Sequence, residues 1–83
     1  MRIDKNTSLE DLMNIAKATV PSLDQGEEFL VKDLFRGFEW NRIAKGNRTK
    51  LGSMFLNYAE NHASNSLEIL GKTPQNQQMY RKL

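Results

Sequence analysis

The stretch RTKLGSMFLNYAENH, residues 48–62, decides the fold, because it carries the most regular hydrophobic pattern in the chain. Its apolar side chains follow the i, i+3, i+4, i+7, i+8 spacing of one helix face: Leu51, Met54, Phe55, Tyr58 and Ala59. We therefore predict a long helix with this face turned to the core. Gly52 lies near the opposite face and costs a helix up to about 1 kcal/mol relative to alanine, so we expect either a crossing helix or a closely approaching ligand backbone beside it.

The segment after this helix predicts a β-hairpin. It reads SLEILGKTPQNQQMYRK, residues 66–82, and Leu67 and Ile69 give its first strand alternating apolar positions. Met79 or Tyr80 supplies the apolar positions of the second strand. Residues 71–77 between the strands are rich in amides and too numerous for a tight turn, so we expect a longer loop there.

A helix is also predicted near the start of the chain, in NTSLEDLMNIAKATV, residues 6–20. Thr7 or Ser8 is a suitable N-cap, because a side-chain oxygen there accepts a bond from a free amide of the first turn. Pro21 ends the helix, because proline lacks the amide hydrogen and its ring clashes with the preceding turn. One face of this helix is apolar at spacings of three and four: Leu9, Leu12, Met13, Ala16 and Val20.

Two short elements are predicted between the helices. Residues 27–31, EEFLV, are typical of a small strand, and residues 32–37, KDLFRG, fit a short helix that ends at Gly37. Residues 38–47 have no clean period, and we predict a turn there. The order is then helix, short strand, short helix, long helix, hairpin. We predict an α+β fold, a small winged helix-turn-helix, as a single domain over residues 1–83.

Composition narrows the classes of function. With 83 residues the chain has one small core, and 39% hydrophobic with 27% charged residues is ordinary for a soluble globular domain. The absence of cysteine excludes disulfides and cysteine-ligated zinc, and a single histidine, His62, excludes a multi-histidine metal site. The sequence contains no G-x-S-x-G, P-loop or H-E-x-x-H motif. We therefore expect no catalysis, no cofactor and no metal.

The sequence gives no sign of a membrane span or an export signal. No apolar run approaches the length that crosses a bilayer, and the N-terminus lacks the hydrophobic segment of a signal peptide. On these grounds we expect a cytoplasmic protein.

The charge is unevenly distributed along the chain. Residues 1–31, including Arg2, carry six acidic and three basic side chains, whereas residues 32–50 carry six basic and two acidic ones. Residues 51–83 are close to neutral, with three basic and two acidic side chains. Such polarity in a small domain indicates a polyanionic partner on one face, and the alternative is a solvated charged surface without a partner.

The stretch FEWNRIAKGNRTK, residues 38–50, concentrates this charge at the predicted start of the long helix. Cations there oppose the helix dipole, so we expect them not to serve helix stability, while the free amide hydrogens of the first turn attract phosphate. The predicted hairpin adds further cations and amides. The candidate nucleic-acid-binding residues are Arg36, Trp40, Asn41, Arg42, Lys45, Asn47, Arg48, Lys50, Lys72, Asn76, Arg81 and Lys82.

Trp40, the only tryptophan, has two interpretations. It either belongs to the core or forms a platform on which an unpaired base stacks, a contact worth about 1–3 kcal/mol per base. We expect a partly buried ring with one exposed edge. Phe38 is the expected apolar plug between the two helices that flank this stretch, Tyr58 is expected in the core, and Tyr80 suits either place.

Three blocks of sequence resemble a family of short winged-helix single-stranded DNA-binding proteins with a conserved uncharacterised domain. Its members are carried on staphylococcal cassette chromosome and related Gram-positive mobile elements. The blocks are VKDLF-GFEWNRI from Val31, G-R--LG--F--Y from Gly46 and LGKT--NQQ-Y-K from Leu70, and the likeness extends over nearly the whole chain from about Leu9. The resemblance implies single-stranded DNA binding and a part in copying the element, beside an element-encoded helicase or polymerase-like protein. It implies no residue-level site.

Three functions therefore remain open. The first is sequence-tolerant binding of single-stranded DNA. The second is sequence-specific regulation on duplex DNA, for which the long helix offers Ser53 and Asn57 but few other base-reading side chains. The third is a protein-binding adaptor or inhibitor that uses the acidic first helix or an apolar patch around Leu56.

Overall fold

The structure, a computed structural model that describes residues 3–83, is a small α+β winged helix-turn-helix. Arg2, counted above in the charge of the first segment, lies outside the described residues. The predicted order of elements is confirmed. The helices and strands are α1 (Leu9–Thr19), β1 (Glu28–Leu30), α2 (Gly37–Arg42), α3 (Lys45–Asn61), β2 (Leu67–Lys72) and β3 (Gln78–Lys82), with short 3-10 helices at Val20–Ser22 and Val31–Leu34.

Helix α1 forms where its cap and apolar face predict it. Ser8 is the N-cap, and its hydroxyl oxygen accepts a hydrogen bond from the Asp11 amide at 3.1 Å. Pro21 falls in the 3-10 helix that directly follows α1. The predicted apolar face is confirmed, since Leu12, Met13, Ala16 and Val20 are buried and Leu9 packs against them while half-exposed.

The short helix of the helix-turn-helix pair lies later than predicted. Residues 32–37 do not form it: Asp33 closes a single 3-10 turn by accepting the Leu30 amide at 2.9 Å, and Phe35 is extended. Helix α2 begins at Gly37, where the prediction ended it, and runs through the segment expected to be a turn. The connection to α3 is only residues 43–44. Six residues are too few for a hydrophobic period to show, which is why the pattern missed this helix.

The sheet is antiparallel with β3 between β1 and β2. Arg81 in β3 stands opposite Glu28 on one side and Glu68 on the other. Its guanidinium donates to both carboxylates, at 3.0 Å and 2.8 Å, and these hydrogen bonds raise the pKa of Arg81 above its usual value. The side chain therefore ties the three strands together, and its charge is already balanced by two acids.

The core is centred on Phe55 of α3. Its ring contacts those of Phe29, Tyr58 and Tyr80, with centroids 6.3, 5.7 and 5.1 Å away. Leu51 and Ala59, one turn before and after, are buried with it as predicted. Tyr58 is only partly buried, with the Lys17 ammonium 5.0 Å from its ring centroid.

The prediction that Met54 faces the core is wrong, because its side chain is 36% exposed. The buried residues of α3 follow the narrower i, i+4, i+8 row of Leu51, Phe55 and Ala59. Met54 lies beside this row, about 100° around the helix from Phe55, where no neighbouring element covers it fully.

The Tyr80 hydroxyl predicts a loss of stability in alkali. It is buried without a hydrogen-bond partner among the described residues, and burial, with a smaller contribution from the charge of Glu60, raises the pKa of Tyr80 from 10.0 to about 12. Stability from this group is complete below pH 10. It falls as pH rises towards 12, by about 1.4 kcal/mol per pH unit, because the unfolded chain loses the proton first.

Urea unfolding between pH 9 and 12 measures this loss, and Tyr80→Phe is the variant to compare. In the phenylalanine variant the free energy of unfolding should fall less steeply with pH, because the contribution of Tyr80 to that slope is gone. At neutral pH the phenylalanine variant should be at least as stable as the parent, because it no longer contains a buried hydroxyl group without a hydrogen-bond partner. Identical slopes in the two proteins would contradict the burial of an ionisable Tyr80.

Candidate nucleic-acid interface

One open groove of about 550 Å³ lies between α3 and the wing, the hairpin formed by β2, β3 and their loop, residues 73–77. Trp40 of α2 and the segment from Leu30 to Lys32 complete its lining. The groove is therefore built from both helices of the helix-turn-helix pair, the wing and the end of β1.

Helix α3 presents two neighbouring rows of side chains to the groove. One row is Lys45, Thr49 and Ser53, and the other is Arg48, Gly52 and Leu56. Each row follows a spacing of four residues, so each runs along one side of the helix. The row of Arg48, Gly52 and Leu56 lies directly beside the buried row of the helix, since each of its members is three residues from a buried one. Together the two rows form the α3 wall of the groove.

The wing is ordered by its own hydrogen bonds. Thr73 donates its amide to the Gln77 carbonyl at 2.8 Å, and its hydroxyl and carbonyl accept the amides of Gln77 and Asn76 at 3.2 and 2.8 Å. Asn76 has a φ of 64°, a left-handed conformation that asparagine tolerates better than most residues. The Gln78 side-chain Nε2 donates to the Leu70 carbonyl, beside the irregularity between Ile69 and Lys72. The loop thereby holds Lys72, Asn76 and Gln77 in fixed places along the groove.

The groove is strongly positive. Its described lining contains four cations, Lys32, Lys45, Arg48 and Lys72, and no carboxylate. Cations without balancing acids, gathered on both walls of one concave surface, produce a site for a polyanion.

Arg48 differs from the other cations because it also supports the fold. Its Nε donates to the Ile43 carbonyl at 2.9 Å, which fixes the link between α2 and α3. The expectation that none of these cations serves helix stability is therefore wrong for Arg48. This bond uses one of the five guanidinium N–H groups and orients the remaining four.

Trp40 is half-buried, as expected for a ring with one exposed edge. Its ring packs on Phe35 with centroids 5.5 Å apart, and it borders both the groove and a smaller hollow of about 390 Å³. The expectation that Phe38 is the plug is wrong. Phe38 is 56% exposed, with the Arg42 guanidinium 5.0 Å from its ring centroid, and the buried side chain at the link between α2 and α3 is that of Ile43.

The groove brings together five of the candidate binding residues: Trp40, Lys45, Arg48, Lys72 and Asn76. The other seven do not line it. Asn41 borders the smaller hollow, and neither Asn47 nor Lys50 is part of the groove lining.

The four remaining candidates make contacts elsewhere. Arg42 donates to the Ile3 carbonyl at 3.1 Å, and Arg81 is held by its two carboxylates. Arg36 lies 3.9 Å from Glu39, and the Lys82 ammonium donates to the Leu83 carbonyl at 3.3 Å.

Sequence reasoning missed several residues that line the groove. The clearest is Lys32, which follows β1 directly and borders both the groove and the hollow beside Trp40. It was counted in the basic segment, but only the sheet topology brings the end of β1 to the start of α3. Leu56 also lines the groove, so the apolar patch expected around it is part of the same surface.

Residues 3–83 contain no group of three or more His, Cys, Asp or Glu side chains placed to hold a metal ion. Within the same range no helix has the length and apolar character needed to cross a membrane.

The family comparison matches residues 14–82 to a model described as "Domain of unknown function (DUF1413)". The match covers α1 from its middle, all of the sheet and every groove residue named above. No curated protein and no solved structure matches the chain.

Proposed function

The chain belongs to the DUF1413 family of domains, and from that premise we propose that it is a non-catalytic, sequence-tolerant binder of single-stranded DNA. The observation that carries this proposal is the charge of the groove. Four cations stand on both of its walls, and its described lining contains no acid. A strand laid along the groove places phosphates against Lys45, Arg48 and Lys72 and releases their counterions.

The lining also favours a single strand over a duplex. Leu30, Val31, Leu56 and the edge of Trp40 stand among the cations. Unpaired bases offer flat apolar faces to such side chains, whereas in a duplex these faces are stacked inside. The cations of the groove therefore complement the phosphates of a single strand, and its apolar side chains complement the exposed faces of the bases.

The resemblance to the mobile-element proteins supports the same proposal and extends it. We place the protein in the replication or mobilisation of such an element. There it would coat or guide strands for an element-encoded helicase or polymerase-like protein. These partners rest on the resemblance, while the groove supports only the strand.

A competition experiment tests the proposal against regulation on duplex DNA. One labelled oligonucleotide is offered single-stranded and annealed to its complement, at several salt concentrations. We expect the single strand to bind more tightly, with little dependence on sequence. Tighter binding of the duplex, confined to certain sequences, would favour the regulator, for which Thr49 and Ser53 offer the hydroxyl groups on α3.

The lysines on the two walls predict the salt dependence of binding. Lys45→Ala combined with Lys72→Ala removes one cation from each wall, and neither side chain forms a hydrogen bond or an ion pair with any residue from 3 to 83. We expect weaker binding on unrelated sequences. The slope of log affinity against log salt should be flatter by about 0.7 per lost phosphate contact, or about 1.4 for both.

The matched control is Lys5→Ala combined with Lys50→Ala. It removes the same net charge from exposed lysines outside the groove lining. It should leave the slope nearly unchanged. Equal effects of the two double variants would mean that the net charge of the domain, and not the groove, holds the strand.

A further inference from the structure

Gly52 has no structural reason to be glycine. It lies in the middle of α3, where glycine costs helix stability relative to alanine, and its φ is not positive. Among the described residues, a Cβ added at this position would meet no atom of another element within 4 Å, so the expected crossing helix is not what lies beside it. The expectation of a ligand beside Gly52 stays a prediction.

The position of Gly52 indicates what kind of ligand group approaches. It lies one turn after Arg48 and one turn before Leu56, in a row that faces the groove. Its amide hydrogen is inside the helix and already bonded to a carbonyl, so the peptide offers no donor to a phosphate. What it offers is a flat area of backbone with no side chain above it, next to an apolar leucine.

We propose that one unpaired nucleobase binds at Gly52, where it lies flat on the backbone of α3 between Arg48 and Leu56. This inference rests on the proposed function, since it assigns the place of a base within the groove that binds the strand. Lys45, Arg48 and Lys72 hold the flanking phosphates. The contact uses the face of the base and not its edges, so any base can occupy it, in keeping with sequence-tolerant binding.

The test is Gly52→Ala, with Gly46→Ala as the matched control. Gly46 is in the same helix and is equally open to a Cβ, but it does not line the groove. Both variants should melt at the same temperature as the parent or higher, Gly52→Ala by up to about 4–8 °C. Gly52→Ala should bind oligothymidine about tenfold more weakly, because its methyl group stands where the base lies. Gly46→Ala should bind like the parent.

A second arm uses an abasic oligonucleotide of the same length. The penalty of Gly52→Ala should disappear on this probe, since no base is present to be displaced. An equal penalty on both probes would overturn the inference, because the sugar-phosphate backbone would then be what packs on Gly52. Unchanged affinity of a more stable Gly52→Ala on oligothymidine would overturn it too.

These outcomes are separable from failure of the proposed function. If the parent binds single strands and the Lys45 and Lys72 double variant weakens binding, the groove is the site whatever Gly52 does. If the parent does not bind single strands, both the proposed function and the binding of a base at Gly52 are wrong.

Discussion

Phe55→Ala is expected to lower the free energy of unfolding by about 3–5 kcal/mol, the cost of removing a large aromatic side chain from a closed core. Phe55 is fully buried, and its ring touches three other rings, from β1, β3 and α3 itself. A domain of this size has a total stability of about 5–15 kcal/mol, so the variant should be marginally folded.

Met54→Ala is the control for Phe55→Ala. Both residues belong to the apolar pattern of α3, but Met54 is 36% exposed. Its truncation should cost less than about 1 kcal/mol, since most of its surface stays in water and alanine is a good helix former. Urea unfolding of both variants measures the difference. Similar losses from the two would mean that the broad face suggested by the sequence, and not the narrow row around Phe55, is the buried one.

The elements that the sequence predicts well are those long enough to show a period or marked by a cap. Helix α3 repeats its apolar pattern from Leu51 to Ala59, over more than two turns, and α1 has both a Ser8 cap and a proline stop. Helix α2 has neither, because it is only six residues long and contains no fully buried residue. Its Trp40 packs on Phe35, a contact that a hydrophobic period does not reveal.

The candidate site was only partly predictable for a related reason. The cations of α3 were found because Lys45 and Arg48 belong to the basic stretch at the predicted start of the long helix. Arg81 was assigned to the site because its partners are remote in sequence: Glu68 is 13 residues away and Glu28 is 53. Only the pairing of three strands shows that its charge is balanced. Lys32 is the opposite case. The sequence did not place it in the site, and only the position of β1 in the sheet shows that it borders the groove.

Trp40→Ala is expected to weaken both stability and binding. The ring packs on Phe35 but keeps an edge in the groove, so its loss should cost less stability than a fully buried aromatic, about 1–3 kcal/mol. If the edge carries an unpaired base, affinity for single strands should fall by about 1–3 kcal/mol as well. Melting and binding are measured on the same preparation, below the melting temperature of the variant.

Fluorescence gives an independent view of the same contact. Trp40 is the only tryptophan, so quenching by an added single strand reports on this ring alone. We expect quenching that saturates with binding. It should be weaker with an abasic oligonucleotide of equal length, because stacking of a base on the ring is its cause.

Two further variants separate packing from stacking at Trp40. Trp40→Leu keeps an apolar side chain against Phe35 but removes the aromatic surface, so it should recover much of the stability and little of the affinity. Phe38→Ala removes an aromatic from the same helix that is 56% exposed and outside the groove lining, so it should change affinity little. Full affinity in Trp40→Leu would mean that the ring only supports the wall of the groove. Phosphate contacts from Lys45, Arg48 and Lys72 would then carry the binding, and a base would be held at Gly52 without help from Trp40.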